Sequence, residues 1–428
     1  MPTNRRPFIA SAAATAATTA TTYTSRRALA AYEKKLTLGV IGVGWYGLFD
    51  AKAALKVGGV EVTAICDVDS KHLQQAADEL ESLQGNRPTE FADYEQMLDK
   101  ATPDIVIIGT PPHWHSLQLI ASLKRGCNVY CEKPLTYDVR EGQALVKAVH
   151  DAGKVVQVGF QRRQSRAFAQ VKDFIEAGHA GKIIQADVQI HHKAGTKDAT
   201  PQAPPSTLDW EQWCGPAPKI PYSPQVGHKS WRLEKTTGHG HLVDWGIHNI
   251  DATRMVMGLG LPERITADGG IYKLDGITTP DTLAVHFEFE ELPVVWRHRL
   301  WGATESQPEF KNGIFFYGED ATIFASDQRW VVFPKNNQGD AQEHAVTTDL
   351  GGEHMENFLQ AVKGREPLAC PIEQGFQSTA TVQLAMIAYE SGTTVHFDGQ
   401  TKEIRENPKA SKLLSRDYRS PWTHPYQA

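Results

Sequence analysis

The chain has 428 residues, of which 41% are hydrophobic and 22% charged, and its formal net charge is -6. This composition is that of a globular protein with enough apolar residues for large cores, and the length predicts two domains. The acidic balance and the absence of a basic cluster argue against a nucleic-acid partner.

Residues 1–31 form a segment that we exclude from the fold prediction. Arg5 and Arg6 are adjacent, Phe8 follows, and a stretch of Ala and Thr leads to a second Arg pair and the A-x-A pattern at residues 28–30. This order resembles a twin-arginine export signal and predicts a periplasmic or otherwise exported protein. The alternative is a disordered tail on a cytoplasmic protein. The stretch is too short and too polar to span a bilayer, and we expect no other transmembrane segment.

Residues 35–158 carry the pattern of a dinucleotide-binding domain. An apolar strand from Leu36 to Val43 runs into Gly42-x-Gly44-x-x-Gly47, and a helical pattern follows. The three glycines permit a tight turn, close approach of the backbone to a pyrophosphate, and close packing of helix on strand. Trp45 and Tyr46 lie within this turn and are also predicted to contact the cofactor.

The second strand ends at Asp67, twenty residues after Gly47. A carboxylate at this position accepts hydrogen bonds from the adenosine ribose and repels a 2′-phosphate, so NAD is predicted in preference to NADP. The alternative is an Asp that only caps the next helix. Strands and helices continue to alternate as far as "VVQVGF", which predicts a doubly wound parallel sheet.

Four motifs in order, "GVIGVGWYG", "TPPHWH", "EKPL" and "DWGIHNID", resemble those of the Gfo/Idh/MocA oxidoreductase family. "GFQRR" and "SWR" are similar to family elements as well, and the resemblance covers nearly all of residues 36–422. It implies an N-terminal Rossmann domain, a C-terminal α/β domain, and a sugar, glycoside or cyclitol substrate.

The resemblance also implies catalytic roles for Lys133, Asp244 and His248. Lys133 would hydrogen-bond the reacting hydroxyl and stabilise an alkoxide, while His248 would exchange the hydroxyl proton. Asp244, four residues before His248, would share its helix face and either orient the imidazole or bind a neighbouring hydroxyl. The remaining residues predicted to contact the cofactor are Thr110, Pro111, His113, His115, Glu132, Lys133, Gln161 and Arg232.

Residues 159–420 are predicted to form the substrate and oligomerisation domain, an α/β unit with an open, largely antiparallel sheet. The segments "GKIIQADVQIHH" and "DTLAVHFEFE" alternate as half-buried strands, and a hairpin is expected with its turn near Glu319 and Asp320. An open sheet face needs a cover, so we expect a homodimer or homotetramer. The five cysteines are expected to be reduced, and the histidine spacings match no metal-site pattern.

The function predicted from these residues is hydride transfer between nicotinamide and a CH–OH carbon. One alternative is an NAD-dependent glycoside hydrolase or lyase that oxidises its substrate transiently, and another is a non-catalytic sugar-binding protein. An exported Rossmann enzyme meets little free NAD, so the cofactor is expected to stay tightly bound through turnover.

Overall fold

The computed structural model describes residues 35–426, and the predicted export segment at residues 1–31 lies outside them. The N-terminal part is a six-stranded parallel sheet in the order β3-β2-β1-β4-β5-β6. Helices cover both faces, which is why central strands such as β4 are apolar and buried along their whole length. The strands are β1 (Leu36–Ile41), β2 (Val60–Cys66), β3 (Thr89–Phe91), β4 (Ile105–Ile108), β5 (Asn128–Cys131) and β6 (Val156–Val158).

Each crossover contains a helix that begins just beyond the carboxyl end of a strand. The helices are α1 (Tyr46–Val57), α2 (Ser70–Gln84), α3 (Tyr94–Ala101), α4 (Pro112–Lys124) and α5 (Val139–Ala152). Three of them start at an aspartate whose side chain accepts a hydrogen bond from a backbone N–H of the first turn, namely Asp69, Asp93 and Asp138. This arrangement is the predicted doubly wound Rossmann fold, and it brings the strand ends together along one edge.

The second sheet has ten strands in the order β14-β13-β12-β11-β7-β10-β9-β8-β15-β16. Its neighbouring strands pair antiparallel except for β7 and β10, which are parallel. The strands are β7 (Ile183–His191), β8 (Arg264–Gly270), β9 (Thr282–Glu288), β10 (Pro293–Arg299), β11 (Asn312–Gly318), β12 (Ala321–Ala325), β13 (Arg329–Pro334), β14 (Gln342–Ala345), β15 (Val395–Asp398) and β16 (Glu403–Ile404).

The predicted hairpin is present, because β11 and β12 pair across a turn at Glu319 and Asp320. A third strand, β13, follows the hairpin in the same antiparallel arrangement, and the sequence analysis did not distinguish it from the hairpin. The open sheet with largely antiparallel pairing is confirmed.

Further helices follow the Rossmann strands in the chain. They are α6 (Arg166–Glu176), α7 (Trp210–Cys214), α8 (Ile247–Met257), α9 (Leu350–Val362), α10 (Ile372–Ser391) and α11 (Pro408–Ser411), and a π-helical turn (Leu242–Gly246) precedes α8. Although α9 follows the second sheet in the chain, its Met355, Phe358 and Leu359 belong to the apolar core on one face of the Rossmann sheet. Helix α10 packs against α5 and against β8, so the two sheets share a buried boundary.

The five cysteines are free thiols, as the sequence predicts, and all five are buried. Within residues 35–426, no helix is both long enough and apolar enough to cross a membrane.

Candidate active site

A cavity of about 1360 Å³ runs along the carboxyl ends of the Rossmann strands and extends to the π-helical turn before α8. In a doubly wound sheet this edge is where ligands bind. The predicted site residues that line the cavity are Gly42, Gly44, Trp45, Tyr46, Asp67, Thr110, Pro111, Glu132, Lys133, Gln161, Arg232, Asp244 and His248.

The glycine-rich turn is built so that only glycine fits at two of its positions. Gly42 has a φ of +85°, and a Cβ there would lie 2.7 Å from the backbone N of Thr110. At Gly47 a Cβ would lie 2.0 Å from the carbonyl oxygen of Gly42. Gly47 therefore permits helix α1 to approach strand β1, and it does not itself line the cavity.

Asp67 is half-buried at the end of β2 and is fixed by backbone donors. Its Oδ2 accepts a hydrogen bond from the N–H of Val43 at 2.9 Å, and its Oδ1 accepts one from Asp69 at 3.0 Å. Burial raises the pKa of the Asp67 carboxyl, and the two backbone donors oppose that shift. Each oxygen keeps a further lone pair, so the carboxylate can accept hydroxyl donors from the cavity.

Two buried oxygens at the other end of the cavity fit a nicotinamide. Glu132 Oε1 and Gln161 Oε1 are buried and have no hydrogen-bond partner among the described residues, although both side chains line the cavity. Unpaired buried acceptors are unfavourable, and a carboxamide NH₂ offers the two donors that they lack. Burial raises the pKa of Glu132 to about 7. Together with the glycine turn and Asp67, this donor and acceptor set fits NAD.

Lys133, Asp244 and Arg232 form a mostly buried ion triad. Lys133 Nζ donates to the Asp244 backbone oxygen at 2.7 Å and to its Oδ1 at 3.2 Å. Arg232 Nε lies 2.8 Å from Asp244 Oδ2. Burial alone would raise the pKa of Asp244, but the charges of Arg232 and Lys133 together hold it below its usual value. One carboxylate thus fixes two cations at the wall of the cavity.

His248 lies at the start of α8 and lines the same cavity, close enough to Lys133 to be affected by its charge. No described residue hydrogen-bonds its ring, and its Nδ1 is buried without a partner. Burial, with the charges of Lys133 and Arg162, holds the pKa of His248 well below its usual value, so the imidazole is neutral near neutral pH. Of the two roles predicted for Asp244, orienting this ring is not supported, because both carboxylate oxygens contact the cations and neither accepts a hydrogen bond from the imidazole.

The helix that carries Asp244 and His248 is irregular. Asp244 lies in the π-helical turn, whereas His248 lies in the α-helix that continues from it. Such π-turns occur often at functional sites because the wider turn reorients side chains. Asp251, further along α8, is buried in an ion pair with Arg163 at 2.6 Å and has a structural role.

His113 and His115 do not reach the cavity, so the structure does not support their predicted contact with the cofactor. Both rings are fully buried beneath the start of α4. His113 Nε2 lies 3.0 Å from the Trp213 carbonyl oxygen. The His115 ring lies between the carbonyl oxygens of Thr110 and Pro134, at 2.7 and 2.9 Å. His115 thereby holds together the two backbone turns that line the cavity.

Two further cavity residues lie outside the predicted catalytic and cofactor-binding set. Arg162 donates to Asn249, and its Nε lies 3.6 Å from an oxygen of Asp327. Trp245 follows Asp244 directly and is 48% exposed at the cavity wall. Arg162 lies within the motif "GFQRR" and Trp245 within "DWGIHNID", so membership of these motifs was the available signal for both.

Residues 205–233, here named the strap, pack across the adenosine end of the cavity. The N–H of Ser70 donates to the Thr207 carbonyl at 2.9 Å, and the N–H of Asp209 donates to Val68 at 3.0 Å. A small apolar core that includes Trp210 and Trp213 stabilises the strap from within. Its far end carries Lys229, whose Nζ lies 4.9 Å from the ring centroid of Trp45. The strap therefore contacts both the turn after β2 and the glycine-rich turn.

Comparisons with known proteins agree with this architecture. Residues 36–160 match the model for an oxidoreductase family with an NAD-binding Rossmann fold, and residues 189–424 match the C-terminal alpha/beta domain of the same family. Inositol 2-dehydrogenase of Salmonella paratyphi B is 31% identical over 177 residues, which are 40% of this chain and 51% of that enzyme. The alignment thus spans about half the length of that relative.

A longer alignment and a solved structure extend the comparison. Myo-inositol 2-dehydrogenase of Thermotoga maritima is 25% identical over 354 residues, which cover 79% of this chain and 92% of that enzyme. The crystal structure of an oxidoreductase from Thermotoga maritima superimposes with a TM-score of 0.66 at 22% identity, covering 85% of this chain and 98% of that one. The structural likeness shows a shared fold.

Proposed function

The chain belongs to the Gfo/Idh/MocA oxidoreductase family, and from this membership and the cavity we propose that it oxidises a CH–OH group of a sugar, glycoside or cyclitol with NAD. The observation that carries the proposal is the placement of Lys133, Asp244 and His248 on the cavity that Asp67 and the glycine-rich turn also line. The inositol 2-dehydrogenases among the relatives support the choice of polyol class.

Lys133 is the group that would hold the reacting hydroxyl. An ammonium has three donors, and Asp244 occupies two of them, which leaves one for a substrate oxygen. Arg232 contributes a second positive charge held by the same carboxylate. Charges fixed in this way stabilise an oxygen that becomes negative during the reaction, without reorganisation of the site.

His248 would take the hydroxyl proton. Its low pKa leaves the imidazole neutral, so a ring nitrogen is available as an acceptor when the substrate binds. The same shift makes the imidazole a weak base, and stabilisation of the alkoxide by Lys133 compensates for that weakness. Bound NAD would accept the hydride that leaves the substrate carbon bearing this hydroxyl.

Trp245 favours a ring-shaped polyol as the substrate. Its indole is half-exposed beside Asp244, and aromatic rings pack well against the C–H faces of sugars and cyclitols. The polar groups of the triad would then contact the hydroxyl edge. This division between an apolar face and a polar edge matches the two kinds of surface on such rings.

NAD rather than NADP is the proposed cofactor, and we propose that it stays bound. Asp67 would repel a 2′-phosphate. The strap crosses the adenosine end through the Thr207 and Asp209 hydrogen bonds and the apolar core around Trp210, so release of the dinucleotide would require these contacts to open.

The test begins with the full chain purified without added cofactor. Denaturation should release a near-stoichiometric amount of NAD or NADH. Addition of myo-inositol, scyllo-inositol or a methyl glucoside to the intact protein should then produce NADH absorbance for at least one of them. A protein that contains no nucleotide and needs continuous NAD would contradict retention, and no reduction with any polyol would contradict the dehydrogenase. Release of an aglycone without net NADH would instead support the glycoside hydrolase.

A further inference from the structure

The fold brings together two histidines and an aspartate that lie far apart in the chain. Asp69 and His72 are at the start of α2, and His228 is on the strap. The ring centroids of His72 and His228 are 4.3 Å apart, and His228 Nε2 lies 2.9 Å from Asp69 Oδ2. One ligand atom from each of the three residues lies within 4.8 Å of the other two. We propose that Asp69, His72 and His228 bind a divalent transition-metal ion, with Zn²⁺ as the best match.

The donor types support this choice of metal. Two imidazole nitrogens and one carboxylate oxygen suit Zn²⁺, whereas Ca²⁺ and Mg²⁺ require mostly oxygen ligands. Three protein ligands and one water complete a tetrahedral site. Asp67 lies close enough to interact electrostatically with both histidines, which adds negative charge to the surroundings of the ion.

The present geometry is close to that of a zinc site. With ligand distances of about 2.0–2.2 Å, neighbouring ligand atoms of a tetrahedral ion are about 3.3 Å apart. The contact between His228 and Asp69 would therefore open by about 0.4 Å, and the remaining separations would close by at most about 1.5 Å. Side-chain rotation suffices for movements of this size, because His72 and His228 are only half-buried.

His72 lines the cavity beside the glycine-rich turn. No described residue hydrogen-bonds its ring, whose Nδ1 would lie 2.8 Å from a Cβ placed on Gly44. The ring contacts that of His228 and lies near the Asp67 carboxylate, and within the described residues both of its nitrogens remain available to a ligand.

A second cluster, of Asp, Glu and His side chains, provides the contrast. Asp138, Glu141 and His424 also bring ligand atoms within 4.8 Å of one another, but all three are buried. Asp138 Oδ2 accepts from the Arg416 N–H and contacts His424, while Glu141 accepts from Tyr418 at 2.7 Å. A metal there would have to displace these hydrogen bonds, so we assign that cluster to anchoring the C-terminal segment.

A bound ion would join two separate parts of the fold. Asp69 and His72 belong to the Rossmann domain, whereas His228 belongs to the strap. Metal binding would therefore fasten the strap over the adenosine end of the cavity. The metal site itself does not depend on the proposed dehydrogenase activity, because its ligands are distinct from Lys133 and His248.

The experiment is a calorimetric titration of the full chain with ZnCl₂ after treatment with a chelator, at about pH 7.5, where free histidine is neutral. We expect one ion per chain, and His72→Ala and His228→Ala should each weaken binding more than about 10-fold. Asp69→Asn should also weaken zinc binding by more than about 10-fold, and the asparagine should still cap helix α2. His150→Ala is the matched control, since that exposed histidine pairs only with Glu373, and it should bind normally.

Circular dichroism of each variant checks that the fold is retained. Unchanged zinc affinity in both His72→Ala and His228→Ala would overturn the site. Hydrogen exchange provides the second measurement, because zinc should slow amide exchange in residues 205–233. Zinc binding without slower exchange there would overturn the proposed link between the ion and the strap.

Discussion

Replacement of Asp244 by asparagine tests whether the ion triad serves catalysis or only stability. The substitution keeps the shape of the side chain but removes the charge that pairs with Lys133 and Arg232. Removing one partner of a buried ion pair costs roughly 3–5 kcal/mol. Because asparagine still accepts a hydrogen bond, we expect a loss near the lower limit, about 3 kcal/mol in the free energy of unfolding.

Asp251→Asn is the matched control for this variant. Asp251 belongs to the same helical segment, is buried and pairs with Arg163 at 2.6 Å, but it does not line the cavity. Its replacement should cost a similar free energy in urea unfolding. Turnover should fall by about 10²-fold or more in Asp244→Asn, because the cations lose their fixed geometry, and should change little in Asp251→Asn.

The pH dependence of stability gives a further check on Asp244. Its folded pKa lies below the unfolded value of about 3.9, so its contribution is fully present above that pH and is lost as the pH falls through the folded pKa. The difference in unfolding free energy between the wild type and Asp244→Asn should therefore shrink below about pH 4. Near-normal turnover in Asp244→Asn, or an equal loss in Asp251→Asn, would refute the catalytic role of the triad.

Three other predictions concern catalysis, cofactor choice and export. Lys133→Ala and His248→Ala should each lower turnover by about 10²-fold or more, and a folded variant of either that retains the normal rate would exclude that residue from catalysis. The wild type should bind NAD more tightly than NADP, and Asp67→Ser should narrow the difference in dissociation constants; tighter NADP binding by the wild type would show that Asp67 has another role. Replacement of Arg5–Arg6 by two lysines should leave the protein in the cytoplasm on fractionation, and unchanged export would rule out the twin-arginine interpretation.

Local motifs predicted the fold well because each of them describes one continuous turn. The spacing of Gly42, Gly44 and Gly47 requires a strand, a tight turn and a helix in that order, and the structure has all three. The EKP motif likewise placed Lys133 beside the cavity. Predictions for the second sheet were less complete, because β10 and β13 have no flanking turn signal as clear as the one at Glu319.

The incorrect predictions concern the direction in which a side chain points from its helix. His113 and His115 are in the correct segment, but both rings are buried beneath helix α4. A helix that begins with proline and is buried along most of its length has no polar face from which to infer direction. One of the two roles predicted for Asp244, orienting His248, was also inferred from the distance in sequence between these residues. The structure instead pairs Asp244 with Lys133, which is 111 residues away.

The electrostatics of the site could not be predicted from the sequence, because they depend on residues that are far apart in the chain. The catalytic proposal depends on one carboxylate holding two cations, and those residues come from β5 and its following turn, the end of the strap, and the π-helical turn. Their shared surroundings decide the roles: burial keeps His248 neutral, whereas the triad keeps charge at the wall where a substrate oxygen would lie. A neutral acceptor next to a fixed cation suits removal of a hydroxyl proton, because the cation stabilises the alkoxide without protonating it. Only the packing of the strap and the π-helical turn against the Rossmann domain creates that combination.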